Sequence, residues 1–101
     1  MSTRPKSAAR TLLEGVAGPL TFGALLAAIR EGEGWSQTEM AQRLGVSRSH
    51  LCDVEKGRKS VSPARAATFA QTLGYSEKQF VRLVLQELVD DAGLKVEVSL
   101  A

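Results

Sequence analysis

The sequence has little of the residue types that build metal and redox centres. Its 101 residues include one cysteine, Cys52, and one histidine, His50. A single cysteine excludes an intramolecular disulfide framework and a zinc site made of several cysteines. A single histidine likewise excludes a site with several histidine ligands. We therefore expect no metal, no other cofactor and no catalysis, and we expect Cys52 to be a small buried side chain.

Aromatic residues and long hydrophobic runs are also scarce. Aromatic residues make up 5% of the chain, so a core must consist mostly of leucine, valine and alanine. No apolar run approaches the roughly 18 residues that indicate a membrane-spanning helix. The basic start of the chain is followed by a stretch that charge and glycine interrupt, unlike a secretory signal. These patterns predict a cytoplasmic protein without a membrane segment.

The chain is short, and its charge is unevenly distributed. A length of 101 residues predicts one domain with a modest core. Residues 1–65 hold 10 Lys and Arg against 6 Asp and Glu, a net +4, whereas residues 66–101 hold 3 against 5, a net −2. The basic part is suited to contact an anion and the acidic part to contact protein. Residues 1–18, with cations at Arg4, Lys6 and Arg10, are predicted to be a partly flexible arm.

Apolar spacing and capping residues predict five helices. Each predicted helix follows a serine or threonine that can cap its N-terminus and precedes a glycine that can end it. Ser36 and Glu39 together form the pattern of a capping box. The predicted helices begin at residues 22, 37, 48, 63 and 77, and they end at Gly32 to Gly34, Gly45, Gly57, Gly74 and Gly93.

The C-terminal part, residues 76–101, carries more apolar surface than one helix needs. Phe80, Leu83, Val84 and Leu88 form one stripe of the fifth helix. Residues 94–100 alternate apolar and polar, which predicts a short β-strand that cannot stand alone. Either two such strands pair across a two-fold axis, or one adds to the sheet of a different protein. The predicted dimer or partner contacts are Val81, Leu85, Val89, Leu94, Val96, Val98 and Leu100; complete burial of the fifth helix in the monomer is the alternative.

The second and third predicted helices are joined by a very tight turn. Only Gly45 and Val46 lie between Leu44 and the capping Ser47, which is typical of a helix-turn-helix. Residues 35–59 resemble the Xre-type, lambda-repressor-like regulators, and the resemblance extends over about residues 20–73. The matching residues are Ser36, Gln37, Ala41, Leu44, Gly45, Val46, Ser47, Leu51, Val54, Glu55, Gly57, Arg58 and Lys59.

The resemblance implies an all-α fold: a five-helix lambda-repressor-like helix-turn-helix domain, here with a short C-terminal β-strand. It places the DNA-binding domain at residues 19–75 and recognition of double-stranded DNA on the helix of residues 47–56. Base-reading positions are then Arg48, Ser49 and Asp53. His50 is added to them because it lies on the same outer side of the helix, opposite Leu51 and Val54. Phosphate-binding positions are Ser36, Gln37, Ser47, Arg58 and Lys59. The resemblance also implies a structural ion pair between Arg30 and Glu55.

Residue chemistry fits these roles. Arg48 could donate two hydrogen bonds to guanine, and Asp53 could accept one from cytosine. The sequence thus predicts a dimeric, sequence-specific transcriptional regulator, a repressor that binds a palindromic operator. The alternative is an antitoxin that binds a protein toxin through its C-terminal segment and represses its own operon. A third hypothesis, a module with protein contacts only, predicts no salt-sensitive DNA binding.

Overall fold

A computed structural model describes residues 21–100 of the chain. The predicted N-terminal arm, with Arg4, Lys6 and Arg10, lies outside the described residues. Five helices follow one another, and each begins at the residue that the sequence predicts. They are α1 (Phe22–Glu33), α2 (Gln37–Leu44), α3 (Arg48–Glu55), α4 (Pro63–Leu73) and α5 (Glu77–Asp91).

Hydroxyl side chains cap the N-terminus of every one of these helices. In each case the side-chain oxygen accepts a hydrogen bond from the backbone N–H three residues later, at 3.0–3.2 Å. The predicted capping box of α2 is confirmed, because the backbone N–H of Ser36 also donates to Oε1 of Glu39 at 2.8 Å. Each cap satisfies a backbone donor that a helix start leaves without a partner. The capping residues are Thr21, Ser36, Ser47, Ser62 and Ser76.

The described residues divide into two compact units, one ending at Lys59 and one beginning at Ser60. The first contains α1 to α3. Its buried apolar side chains are those of Phe22, Leu25, Leu26, Ile29, Met40, Ala41, Leu44, Leu51 and Val54. The start of α1 lies directly on the end of α3: a Cβ atom on Gly23 would lie 2.8 Å from the carbonyl oxygen of Glu55 and closer still to that of Val54.

The turn between α2 and α3 depends on glycine. Gly45 has φ +73°, a left-handed conformation that residues with a Cβ atom rarely adopt. The N–H groups of Gly45 and Val46 donate to the carbonyls of Gln42 and Ala41, at 3.3 and 3.0 Å, and so satisfy the end of α2. The glycine therefore lets the chain leave α2 and reach the cap of α3 within two residues.

The second unit contains α4, α5 and the C-terminal segment. Within this unit α4 packs with α5. Leu88, expected on the inner stripe of α5, is 49% exposed. The buried apolar side chains of this unit are those of Val61, Ala66, Phe69, Ala70, Leu73, Phe80, Leu83 and Val84.

The predicted C-terminal β-strand is not found: residues 94–100 have no regular secondary structure. A strand exists only where a second strand supplies hydrogen bonds, and no strand occurs among residues 21–100. The side chain of Gln86 on α5 holds the segment instead. Its Nε2 donates to the carbonyl oxygen of Val96 at 2.9 Å, and its Oε1 accepts from the N–H of Val98 at 2.7 Å.

The helices are too short or too polar for a bilayer. Within residues 21–100, none combines the length and the apolar character that crossing a membrane requires.

Candidate nucleic-acid interface

The outer surface of α3 begins with two exposed side chains. Leu51 and Val54 are 1% and 3% exposed and hold the helix against its unit. Arg48 and Ser49, the first two residues of α3, are exposed, whereas His50 in the next position is half-buried. The sequence-predicted base-reading residues therefore differ in access: Arg48 and Ser49 are available to a large ligand, and His50 only in part.

The N-terminus of α3 is also a source of positive electrostatic potential. Ser47 accepts from the backbone N–H of His50 at 3.0 Å. The N–H groups of the first helical residues have no acceptor within a helix and point along its axis, toward any ligand placed there. An anion or a polar base edge at this end would therefore meet backbone donors beside the Arg48 side chain.

Asp53 on α3 is bonded to the residues that follow the helix. The Arg58 side chain donates from Nε to Oδ1 of Asp53 at 2.9 Å, and its Nη2 lies 2.8 Å from the same oxygen. The Nζ atom of Lys59 lies 3.9 Å from Oδ2. The contact with Asp53 raises the pKa of the Arg58 guanidinium above its ordinary value, chiefly through the hydrogen bond between the two side chains. A residue predicted to read bases and one predicted to bind phosphate are thus bonded to each other.

A second cluster joins all three helices of the first unit. Arg30 of α1 donates from Nε and Nη2 to the two carboxylate oxygens of Glu55, at 2.8 and 3.1 Å. The Glu55 side chain is 5% exposed and that of Arg30 17%. The hydrogen bonds to Glu55 raise the pKa of the Arg30 guanidinium. A bidentate, largely enclosed pair of this kind fixes α1 and α3 in one relative orientation.

Gln37, predicted to bind phosphate, belongs to the same cluster. Its Nε2 donates to Oε1 of Glu55 at 3.1 Å, which links the first residue of α2 to the last residue of α3. The backbone N–H of Gln37 lies at the start of α2, where no helical acceptor exists. The side chain therefore positions the two helices, and the backbone remains suited to a phosphate oxygen.

Two contacts near this cluster were not foreseen from the sequence. The Nη1 atom of Arg30 donates to the carbonyl oxygen of Trp35 at 3.3 Å. The guanidinium of Arg43 lies 4.1 Å from the centroid of the Trp35 ring, a cation–π geometry. Trp35 directly precedes Ser36, the cap of α2, and Arg43 lies near the end of that helix. The contact therefore depends on the direction in which the chain enters α2.

The chain matches the model of a helix-turn-helix domain family over residues 21–83. It belongs to this helix-turn-helix family. Membership indicates a DNA-binding regulator. Comparison with curated proteins gives no match, and comparison with solved structures gives none either.

The helix-turn-helix itself is α2, the turn at Gly45 and α3. The three remaining predicted phosphate contacts are Ser36, the exposed cap of α2, Ser47, the exposed cap of α3, and Lys59, whose side chain is 58% exposed. The cap uses each serine oxygen as an acceptor and leaves the hydroxyl proton available for donation.

Cys52, expected to be buried, is half-buried, with its Sγ 3.9 Å from Nη2 of Arg58. Among residues 21–100 no group of three His, Cys, Asp or Glu side chains could hold a metal ion.

The predicted dimer or partner contacts all lie outside the helix-turn-helix, in the second unit. Leu94 and Val96 are exposed, at 55% and 58%. The others are half-buried: Val81, Leu85, Val89, Val98 and Leu100. The exposed apolar surface of this unit is therefore concentrated in the C-terminal segment and at Leu88.

Proposed function

We propose that this protein is a dimeric, sequence-specific transcriptional regulator that places α3 in the major groove of DNA and represses by occupying an operator. The observation that carries the proposal is the start of α3, where Arg48 and Ser49 are exposed while Leu51 and Val54 fix the helix in its unit. The N-terminal residues of a recognition helix are the ones that reach base edges. The role is binding in the cytoplasm, without catalysis.

Arg48 is the proposed principal reader. Its side chain is long and exposed, and a guanidinium can donate two hydrogen bonds to O6 and N7 of one guanine. Ser49 is adjacent and short, so it would contact a base that lies closer to the helix. His50, half-buried, is assigned a contact at the edge of this surface.

Phosphate binding is assigned to residues that flank α3. The exposed ammonium of Lys59 lies 3.9 Å from the nearest Asp53 oxygen, a separation at which its three protons remain open to other acceptors. The N-terminus of α2 offers the backbone N–H of Gln37 beside the hydroxyl of Ser36. The Ser47 hydroxyl adds a further donor. Such contacts position a protein on DNA without reading its sequence.

Asp53 and Arg58 take a different role from the one expected from sequence. Because both bonds to Oδ1 come from Arg58, we assign Asp53 as a positioning residue that holds the loop after α3 and neutralises the Arg58 charge. The pair then contributes little net attraction to phosphate. The first unit retains few uncompensated cations at the interface, so tight binding calls for two copies on two half-sites.

The test is selection of DNA from a random pool by the full chain, followed by binding measurements on the enriched sequence. The proposal expects a palindrome whose half-sites are centred 10–10.5 base pairs apart, since a dimer presents α3 to successive major grooves roughly 34 Å apart. Failure to enrich any sequence would overturn sequence-specific regulation. Enrichment of one unrepeated site would overturn the dimeric form of the proposal.

An antitoxin is the second candidate, favoured by the exposed apolar side chains of Leu88, Leu94 and Val96. The test uses the reading frame next to this one. If its product stops growth, co-expression of the full chain should restore growth, and the chain without residues 94–101 should not. Equal rescue by both chains would contradict toxin binding through residues 94–101. No rescue by the full chain, or a harmless neighbouring product, would contradict the antitoxin role.

A further inference from the structure

We propose that residues 94–98 pair with the same residues of a second copy as an antiparallel ribbon whose two-fold axis passes through Val96. The proposal rests on the proposed dimer and names the contact that forms it. Three observations carry it: one edge of the segment is already occupied, two opposite charges are placed to complement each other, and the apolar side chains are exposed.

The first observation is the occupied edge. The side-chain amide of Gln86 donates to the carbonyl oxygen of Val96 and accepts from the N–H of Val98. These two backbone groups belong to residues two positions apart. In a strand, residues two apart present their backbone groups to the same edge, and the residue between them presents its groups to the other. Gln86 thus takes the place of a neighbouring strand at the edge that carries the backbone groups of Val96 and Val98. Its Nε2 also donates to Oδ1 of Asp90 at 2.9 Å.

The other edge carries the backbone groups of Lys95, Glu97 and Ser99. Within the part of the chain that the structure describes, none of these groups has a hydrogen-bond partner. An unpaired edge is a template for another strand. In an antiparallel pair through this edge, Lys95 and Glu97 of one copy would each exchange two hydrogen bonds with the residue opposite in the other copy.

The second observation sets the register. With the two-fold axis at Val96, Lys95 of each copy lies directly opposite Glu97 of the other. Moving the axis to Lys95 would place two Lys95 side chains opposite each other, and moving it to Glu97 would do the same for two glutamates. Like charges directly opposite are destabilising and unlike charges stabilising. In the described residues neither Lys95 nor Glu97 takes part in an ion pair, so both charges are available.

The third observation is the apolar face. Side chains of directly opposite residues lie on the same face of a two-stranded ribbon. The register therefore puts Leu94 opposite Val98 and Val96 opposite its own copy, all on the face away from the charges. Leu94 and Val96 are 55% and 58% exposed in the monomer. Val96 falls at a pair without direct hydrogen bonds, the closer of the two kinds, where valine packs well.

A charge exchange on the full chain tests the register. Lys95→Glu and Glu97→Lys, each alone, place like charges opposite each other twice per dimer. Each should weaken dimerisation about tenfold or more in sedimentation equilibrium. The double variant restores both pairs with their signs reversed, and its dimerisation should return close to that of the unchanged chain. Loss in the double variant equal to the sum of the single losses would overturn the pairing.

A cross-link tests the axis in an independent way. In a Cys52→Ser background, Val96→Cys should give a disulfide-linked dimer on mild oxidation, because the two Cβ atoms would be near the separation that a disulfide needs. Ser99→Cys in the same background is the matched control, since the two copies of residue 99 would be about 20 Å apart along the ribbon. Cross-linking at 99 as efficient as at 96 would overturn the axis.

The outcomes separate this inference from the function on which it rests. A dimer that persists through both single charge changes and does not cross-link at 96 would overturn the ribbon and leave a dimer formed elsewhere. A chain that stays monomeric at all concentrations would overturn both the ribbon and the dimer. Binding of the same preparations to a single half-site reports DNA recognition independently of either result.

Discussion

Arg58 is bonded to Asp53 through both its side chain and its backbone. The guanidinium donates to Oδ1 at 2.9 Å from Nε, and the Arg58 N–H donates to the Asp53 carbonyl oxygen at 2.8 Å. The Lys59 N–H reaches the same carbonyl at 3.3 Å. The loop after α3 is therefore fastened to the C-terminal half of that helix, and any anion that approaches Arg58 must compete with a carboxylate already in contact.

Removing the charge of Asp53 should release Arg58 for phosphate. We expect Asp53→Asn to strengthen binding to random-sequence DNA and to steepen the dependence of log K on log salt by about 0.9, the contribution of one additional phosphate contact. Fluorescence anisotropy between about 50 and 200 mM salt measures both. Asp91→Asn, an exposed position at the end of α5, removes the same charge and is the control. Weaker operator binding with relaxed discrimination at one base pair and no change in slope would instead assign Asp53 to base reading.

Arg48 should affect specificity, and Lys59 should affect affinity alone. Arg48→Ala is expected to cost about 1–3 kcal/mol on the selected operator and to relax discrimination at one base pair. Lys59→Ala should weaken all sequences alike and reduce the salt slope by about one unit. Lys78→Ala, in the first turn of α5, removes the same charge from the second unit and should leave binding unchanged. An equal loss for Arg48→Ala on operator and random DNA would exclude it as a reader.

Glu55 should matter for stability because Arg30 and Gln37 both depend on it. Glu55→Gln keeps the shape of the side chain and removes the charge that pairs with a guanidinium only 17% exposed. The free energy of unfolding should fall by about 2 kcal/mol, the range for hydrogen bonds to charged groups. Urea denaturation measures the change. Glu31→Gln is the matched control: Glu31 is 72% exposed and 3.9 Å from the same arginine, so a change under about 1 kcal/mol is expected. Equal effects at the two positions would contradict the structural role of Glu55.

Gly23 should tolerate no side chain. Gly23→Ala forces a methyl group against the carbonyl oxygens of Val54 and Glu55, and backbone cannot move away as a flexible side chain can. A loss of about 1–3 kcal/mol or more is expected. Gly45→Ala provides the comparison, because a methyl group there meets nothing within 4 Å and its cost is the left-handed backbone alone, about 1–2 kcal/mol. Thermal melts of both variants would refute the close approach if Gly23→Ala proved the milder change.

Gln86 should control the order of the C-terminal segment. Gln86→Ala removes both hydrogen bonds to the segment, so the N–H of Val98 should exchange with deuterium about tenfold faster. Gln71→Ala, which removes an exposed amide that donates to Glu77 of α5, is the control and should leave Val98 protected. Unchanged exchange at Val98 in the Gln86 variant would show that other contacts hold the segment.

The starts of the helices were predictable because their signals are local. A serine or threonine cap acts on a backbone N–H three residues away, so residues within one turn contain the whole interaction. The turn at Gly45 and the exposure of Arg48 and Ser49 follow from equally short stretches. The C-terminal strand was predicted from alternation, and no strand occurs within residues 21–100 of the single chain, because a strand requires a partner that this chain does not contain among those residues.

The sequence by itself determined the five helices, the helix-turn-helix and the positions at the start of α3, since each depends on neighbours in the chain. Only the tertiary structure decided which side chains meet across distance: that Gln37 bonds Glu55, that α1 approaches α3 at Gly23, and that Gln86 holds the C-terminal segment. It also decided that Asp53 faces Arg58. The resemblance made Asp53 a candidate partner for a base, and the path of the chain after α3 brings the Arg58 guanidinium to its carboxylate.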